Sequence, residues 1–169
     1  FLSRQTNRSA LDAFTFLYQL ANPQLVRKIE GSGITSERLD YVTKASQTGQ
    51  IRDQVFTACL GVVAREDIVT SVSDFMLQVE DVKWTVVAGL IDDKIVISVR
   101  NVGYTRHAGT FIKKMFDGIV SAGGHRAMAK AIVPVSEFQK QFRAVTSDDI
   151  TSILGDLATQ FIFETSQNT

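Results

Sequence analysis

The first fifty residues place apolar side chains at the three- and four-residue spacing of short helices. Ser9, whose hydroxyl can cap a helix, comes just before the first of these positions. The spacing predicts a first helix from five apolar residues, Leu11, Phe14, Leu17, Tyr18 and Leu20. Asn22 followed by Pro23 predicts a short second helix, because proline suits the first helical position. The spacing resumes near residue 35 and predicts a third helix. We therefore predict that residues 1–50 form a helical connector or the end of a preceding domain.

From residue 51 onward, β-rich runs alternate with amphipathic segments. Apolar runs predict four strands, at residues 54–63, 84–91, 94–102 and about 127–135, with Asp92-Asp93 as a hairpin turn. Helical spacing predicts three helices, at residues 67–79, 105–118 and 147 to about 165. The order strand, helix, strand, strand, helix, strand, helix predicts an α/β fold in residues 51–169. We expect a mixed β-sheet flanked by helices.

Charge and hydropathy exclude several classes of protein. Eighteen lysines and arginines balance eighteen aspartates and glutamates, which argues against a generic nucleic-acid coat but leaves room for a local phosphate site. No apolar run reaches the length of about 18–20 residues that spans a bilayer. The polar start of the chain does not resemble a signal peptide. Because the chain begins at Phe1 rather than Met, we interpret it as a fragment of a longer protein.

The single cysteine, Cys59, lies within an apolar-polar alternation. This position favours buried packing over a reactive thiol. One cysteine cannot form an internal disulfide, so we expect a reducing, cytoplasmic setting.

A first candidate site lies at the end of the third predicted strand, in Ser98-Val99-Arg100-Asn101. Alternation along a strand places Ser98 and Arg100 on one face, about 7 Å apart. A hydroxyl beside a guanidinium suits a phosphate, because arginine offers a planar fork of donors to two oxygens. Taken alone, a solvated arginine at a strand end is the commoner explanation.

A second candidate site follows the predicted helix at residues 105–118. Its sequence is Ala122-Gly123-Gly124-His125-Arg126. Paired glycines permit positive φ and allow backbone N–H groups to approach an anion. His125 can donate to a phosphate oxygen or move a proton near neutral pH, and Arg126 adds charge. A tight turn followed by a partly buried histidine explains the segment equally well.

The two segments reinforce each other through their spacing. Arg100 and His125 are joined by one helix, so a strand-helix-strand unit would bring them to the same edge of the sheet, where ligands of α/β sheets tend to bind. The other histidine, His107, lies near the start of the intervening helix beside Arg106. We interpret His107 as a helix cap rather than an anion ligand.

The stretch from Ser98 to Asn101, followed after a helix by residues 121–129 (SAGGHRAMA), resembles the DHHA1 domain of the DHH phosphoesterase superfamily. That domain carries a serine-x-arginine strand end and a glycine-rich turn that closes on a histidine. The resemblance covers about residues 51–140. The helical part looks like the segment that links the catalytic DHH domain to DHHA1 in exopolyphosphatase-like and oligoribonuclease-like members.

The resemblance implies that four residues hold a substrate phosphate against a two-metal centre on another domain: Arg100, Gly123, Gly124 and His125. Ser98 and Arg126 are further substrate-binding candidates. Ala122 stands where a third glycine is frequent, and Lys130 stands where a later glycine often ends the motif. These two departures bear on the shape of the pocket, and so on substrate size.

No metal-ligand cluster is evident in the sequence. The chain lacks the Asp-His-His triplet of the family and has no histidine and aspartate cluster at ligand spacing. Asp92-Asp93 suits a turn and Asp148-Asp149 a helix start. We therefore expect no catalytic residue, no cofactor and no metal in this chain, with manganese or a similar divalent ion bound by the missing DHH domain.

Three functions remain open at this point. The leading hypothesis is the substrate-binding domain of a phosphoesterase that acts on short oligonucleotides, nucleotide phosphates or related phosphorylated compounds. The alternative is a stand-alone nucleic-acid or nucleotide-binding module, because related DHHA1 domains also occur in alanyl-tRNA synthetases. A third is self-association, to a homodimer, through the C-terminal helix and Phe161-Ile162-Phe163. The expected partners are thus a phosphorylated ligand, the catalytic domain of the same polypeptide and a second copy, without a membrane.

Overall fold

A computed structural model of the chain describes residues 7–30, 35–103, 106–116, 121–143 and 146–163. It divides into two compact units, Phe1–Thr35 and Ser36–Thr169. The predicted domain boundary after residue 50 stays a prediction. In the second unit, the helix Ser36–Thr48 packs against both the sheet and the helix Glu66–Met76.

The first unit consists of two helices, α1 (Arg8–Leu20) and α2 (Pro23–Glu30). The cap of α1 is Asn7 rather than the predicted Ser9, and its Oδ1 accepts a hydrogen bond from the Ala10 N–H at 2.9 Å. Asn22 caps α2 as predicted: its Oδ1 accepts hydrogen bonds from the N–H groups of Gln24 and Leu25 in the first turn. No side chain of α1 is buried, and its apolar residues are exposed.

The second unit is a six-stranded mixed sheet with five helices among its described residues. In chain order the elements are α3 (Ser36–Thr48), β1 (Gln50–Arg52), β2 (Val55–Val62), α4 (Glu66–Met76), β3 (Trp84–Ile91), β4 (Lys94–Asn101), α5 (Ala108–Met115), β5 (Ser121–Gly124), β6 (Met128–Pro134), α6 (Val135–Phe142) and α7 (Ser147–Phe163). The strand order is β1-β2-β3-β4-β6-β5. β2 and β3 pair in parallel, and the other neighbours pair antiparallel. The α/β prediction is therefore confirmed.

Helices cover the two faces of this sheet differently. One face, here called the three-helix face, packs against α5, α6 and α7 and carries most of the buried aromatic side chains. The other, called the α4 face, packs against α3 and α4 over β2, β3 and β4. On β6, Met128 and Lys130 belong to the α4 face by register, and both are accessible.

Several predicted elements are confirmed. Asp92-Asp93 forms the two-residue turn between β3 and β4, with Asp92 at a φ of 52°. Asp148-Asp149 lies in the first turn of α7. Cys59 is buried in the core of the three-helix face, and burial raises the pKa of its thiol. No described helix is both long enough and apolar enough to cross a bilayer.

The sequence prediction missed three elements. β1 is a three-residue edge strand, and α6 is a short helix that follows Pro134 directly. The third is β5: Ser121–Gly124 was predicted to be part of a turn but pairs with β6 as a strand. The predicted ends of α5 at residues 105 and 117–118, and of α7 at residues 164–165, lie outside the described residues.

Candidate functional site

Arg100 lies at the end of β4, on the α4 face, and its guanidinium is held from two sides. Nε donates to Oδ1 of Asp74 on α4 at 2.6 Å, and Nη1 donates to the Val99 carbonyl at 3.0 Å. The side chain is 15% exposed. These two bonds fix the orientation of the guanidinium. Nη2 takes part in neither of them, so part of the donor fork of Arg100 stays available.

Ser98 shares the α4 face with Arg100, as the strand alternation predicted, but it is buried. Its exposed fraction is 1%, and its Oγ has no hydrogen-bond partner. The register places it between Val87 on β3 and Lys130 on β6. A ligand at the surface would not reach a hydroxyl buried to this extent without a local rearrangement.

β6 brings Met128 and Lys130 to the same face. Met128 pairs directly with Arg100 and is 43% exposed. Lys130, the residue that departs from the family pattern, forms an ion pair with Glu66 at the start of α4. Two ion pairs, Arg100 with Asp74 and Lys130 with Glu66, thus join α4 to β4 and β6. The sequence prediction missed both acidic partners.

Gly123 and Gly124 lie in β5 and not in a turn, which corrects the predicted turn geometry. They pair with Lys130 and Ala129 on β6. A Cβ on Gly124 would approach the Met128 carbonyl oxygen to 2.8 Å, and a Cβ on Gly109 of α5 would approach the Gly124 oxygen to 2.7 Å. Glycine is therefore needed at position 124 because β6 comes close to it, and at position 109 because α5 comes close to β5; a positive φ is not the reason at position 124.

His125 and Arg126 form the tip of the hairpin between β5 and β6. Both are exposed. The His125 N–H donates to the Met128 carbonyl at 2.7 Å, and the Arg126 Nε donates to the Gly103 carbonyl at 3.1 Å. Within the described residues, the imidazole of His125 makes no hydrogen bond and Arg126 pairs with no carboxylate. The hairpin therefore offers an imidazole and a positive charge to a ligand.

The hairpin backbone also caps α5. The carbonyls of Arg126 and His125 accept from the N–H groups of Ala108 and Gly109 at 3.0 and 3.2 Å. His107 is the N-cap residue, and its Nδ1 accepts from the Thr110 N–H at 3.3 Å, so its predicted capping role is confirmed. Protein groups thus satisfy the first N–H groups of α5, which are the donors that an anion would otherwise use.

The strand order brings Arg100, Met128 and His125 to one end of the sheet. β6, one arm of the hairpin, pairs directly with β4, whereas His125 follows β5, which lies two strand spacings of about 4.8 Å from β4. A phosphate-containing ligand can bridge such a separation between long side chains. The structure thus collects Arg100, His125, Arg126 and the paired Lys130 at one end, and leaves Ser98 below the surface.

No metal-ligand cluster lies at this end of the sheet in the part of the chain that the structure describes. Among the described residues, no group of three or more histidine, cysteine, aspartate or glutamate side chains could hold a metal ion. Asp74 and Glu66 are the acidic residues near the candidate site, and each forms an ion pair with a basic side chain.

The mixed sheet and its helices define an α/β domain, with Arg100 and the His125-Arg126 hairpin at one end of the sheet. No protein-family profile matches the chain. It is 26% identical over 140 residues to an uncharacterized protein of Methanocaldococcus jannaschii, covering 82% of this chain and 28% of that protein.

A solved structure of low sequence identity shares the fold. An exopolyphosphatase-related protein from Bacteroides fragilis superposes with a TM-score of 0.64 at 12% identity, covering 92% of this chain and 44% of that one. The C-Ala domain of the alanyl-tRNA synthetase from Aquifex aeolicus reaches a TM-score of 0.47 at 10% identity, covering 64% of this chain and 96% of that domain. The chain thus spans less than half the length of both the archaeal relative and the exopolyphosphatase-related protein.

Proposed function

We propose that this chain is the phosphate- or nucleotide-binding domain of a metal-dependent phosphoesterase of the DHH type. Its substrates would be short oligonucleotides, nucleotide phosphates or related phosphorylated compounds. The observation that carries the proposal is the convergence of Arg100, His125 and Arg126 at one end of the sheet. The fold shared with an exopolyphosphatase-related protein supports it.

In this proposal, the hairpin and the end of β4 bind the phosphate together. Arg126 and His125 donate from the exposed tip, and Arg100 contributes the Nη2 that its contacts with Asp74 and Val99 leave uncommitted. Charge-assisted hydrogen bonds of this kind are about twice as strong as neutral ones. The role of the domain is to hold the phosphate in place while another part of the protein attacks it.

The described residues do not fit the metal that such hydrolysis requires, because they contain no suitable ligand cluster. We therefore assign the metal, manganese or a similar divalent ion, to the rest of the full-length protein. We expect the 169-residue chain to release no mononucleotide from a dinucleotide when manganese is added. Metal-stimulated hydrolysis by the purified chain, free of contaminants, would contradict this assignment.

Binding can be tested on the chain itself by isothermal titration with inorganic tripolyphosphate and with a 5′-phosphorylated dinucleotide. His125→Ala and Arg126→Ala should each weaken binding by about tenfold or more, since each removes a charge-assisted hydrogen bond. Arg52→Ala is the matched control, because Arg52 is an exposed arginine on β1 that pairs with Asp156. Equal affinities for all three variants would show that the hairpin does not bind phosphate.

In the full-length protein, Arg100→Ala and His125→Ala should each lower kcat/KM by about tenfold or more. The two variants should differ in stability, because the Arg100 guanidinium is largely buried against Asp74 whereas the His125 side chain is exposed. Phosphate binding without any hydrolysis by the full-length protein would favour the alternative, a binding module.

A further inference from the structure

Asn101 follows Arg100 on β4 but belongs to the opposite face of the sheet. It pairs with Trp84 on β3, on the three-helix face, and is 4% exposed. Two successive residues of one strand therefore point to different partners. Arg100 contacts α4, and Asn101 contacts the loops at the end of the sheet.

The amide side chain of Asn101 joins two segments, the connection between β4 and α5 and the hairpin between β5 and β6. Its Nδ2 donates to the Arg106 carbonyl and to the Arg126 carbonyl, both at 3.0 Å. Its Oδ1 accepts from the Gly103 N–H at 2.7 Å, and its backbone N–H donates to the Ala127 carbonyl at 2.9 Å. The two donors match the two carbonyls, and the acceptor matches the N–H, so the partners also fix the orientation of the amide.

We propose that Asn101 is the positioning residue that fixes the His125-Arg126 hairpin relative to Arg100. This inference rests on the proposed phosphate-binding function. Arg126 offers its side chain to the ligand and its carbonyl to Asn101, while Arg100 is covalently joined to Asn101. The backbone pairing of β4 with β6 aligns the two halves of the phosphate site, and the Asn101 side chain ties the tip of the hairpin to that frame.

The chemistry of the amide explains why asparagine suits this position. Aspartate would place a carboxylate against two carbonyl oxygens, which repel it. Alanine would remove one donor from the Arg106 carbonyl and one of the two donors of the Arg126 carbonyl, which keeps the Ala108 N–H, so part-buried hydrogen bonds would be lost. Serine supplies one donor and one acceptor, so Asn101→Ser should have the mildest effect of the three substitutions.

A purely structural role must be separated from positioning, and Thr151 on α7 provides the matched control. It is 2% exposed, and its Oγ1 accepts from the Cys59 N–H and donates to the Ser147 carbonyl, both at 2.9 Å. These residues belong to β2 and α7 and not to the hairpin. Thr151→Ala thus removes buried hydrogen bonds of the same kind without changing the hairpin.

The first measurement is amide hydrogen exchange followed by NMR, which needs no ligand. In Asn101→Ala, the amides of Ala108 and Gly109 should exchange about tenfold faster relative to the amides of β3, because both donate to hairpin carbonyls. In Thr151→Ala, the Cys59 amide should be the one that accelerates. Asn101→Ser serves in place of Asn101→Ala if the alanine variant does not fold. Unchanged exchange at Ala108 and Gly109 would overturn the inference.

The second measurement is the affinity for inorganic tripolyphosphate. Asn101→Ala should weaken binding by about tenfold, and Thr151→Ala by less than about twofold. Adding His125→Ala to Asn101→Ala should lower the affinity much less than His125→Ala does in the wild-type chain, since His125 contributes to binding only when it is held in place. Fully additive losses, or equal losses for Asn101→Ala and Thr151→Ala, would overturn the positioning role.

The two measurements distinguish failure of this inference from failure of the proposed function. If the wild-type chain binds tripolyphosphate and His125→Ala weakens binding while Asn101→Ala does not, the proposed function stands and the inference is wrong. If the wild-type chain does not bind, the proposed function is wrong. Hydrogen exchange then decides by itself whether Asn101 positions the hairpin.

Discussion

The two faces of the sheet differ in what covers them and in the kind of contact that holds the cover. On the three-helix face, Trp84, Phe111 and Phe161 have ring centroids 5.3 to 6.4 Å apart, and the contacts are apolar. On the α4 face, α4 also packs through buried apolar residues, but two ion pairs join it to β4 and β6, and Met128 remains exposed. The comparison indicates that both faces stabilise the domain through apolar packing, and that charged and accessible side chains are added on the α4 face.

The largest expected effect lies on the three-helix face. Phe111→Ala should lower the free energy of unfolding by about 3–5 kcal/mol, because Phe111 is fully buried and its removal leaves a cavity. Met128→Ala on the α4 face should cost about 0.5 kcal/mol or less. Urea unfolding followed by fluorescence of Trp84, the single tryptophan, measures both. Similar costs for the two variants would remove the distinction between the faces.

An intermediate effect is expected where α5 approaches β5. Gly124→Ala and Gly109→Ala should each destabilise by about 1–3 kcal/mol, because the added Cβ meets backbone atoms closer than 3 Å. The sign for Gly109 is informative, since alanine at an unobstructed helical position stabilises by up to about 1 kcal/mol. Thermal unfolding of the two variants gives that sign. A stabilised Gly109→Ala variant would mean that the helix lies farther from β5.

The smallest effect concerns the ion pairs of the α4 face. Asp74→Asn should cost about 0.5–1 kcal/mol, and the cost should shrink at high salt, because Asp74 itself is more than half exposed. Arg52→Ala, which breaks a pair with both partners over half exposed, should cost less. Unfolding at 50 mM and at 1 M salt compares them. A loss for Asp74→Asn that does not depend on salt would show that attraction between the two charges is not what the pair contributes.

The hydrophobic pattern predicted those elements whose local sequence favours the same secondary structure that they adopt in the folded domain. β3 and β4 have long apolar runs and a two-aspartate turn, so their hairpin was evident. β5 was missed because Ser-Ala-Gly-Gly has low β-propensity and becomes a strand through its pairing with β6. α6 was missed although Phe138 and Phe142 stand four residues apart behind Pro134, a signal that could have revealed it.

The candidate site was predictable only where its residues lie within local sequence motifs. Arg100 and His125 stand in recognisable motifs, and one intervening helix predicted a shared edge. Asp74 and Glu66 were not predictable, because each meets its cation only once α4 packs on the sheet, 26 and 64 residues away along the chain. The proposed role of Asn101 likewise depends on a hairpin that lies 25 residues away along the chain and meets Asn101 only in the folded sheet. The burial of Ser98 follows from the helix that covers its strand.

The position of α7 has a consequence for how the domain is made in the cell. Thr151 of α7 binds the backbone of β2 at Cys59, which precedes it by 92 residues in the chain. At a synthesis rate of roughly 5–20 residues per second, β2 emerges from the ribosome roughly 5–20 s before its cover does. During that interval an apolar sheet surface is available to chaperones and to neighbouring nascent chains. A stop codon before residue 147 would make that exposure permanent, so we expect such products to be degraded or to aggregate.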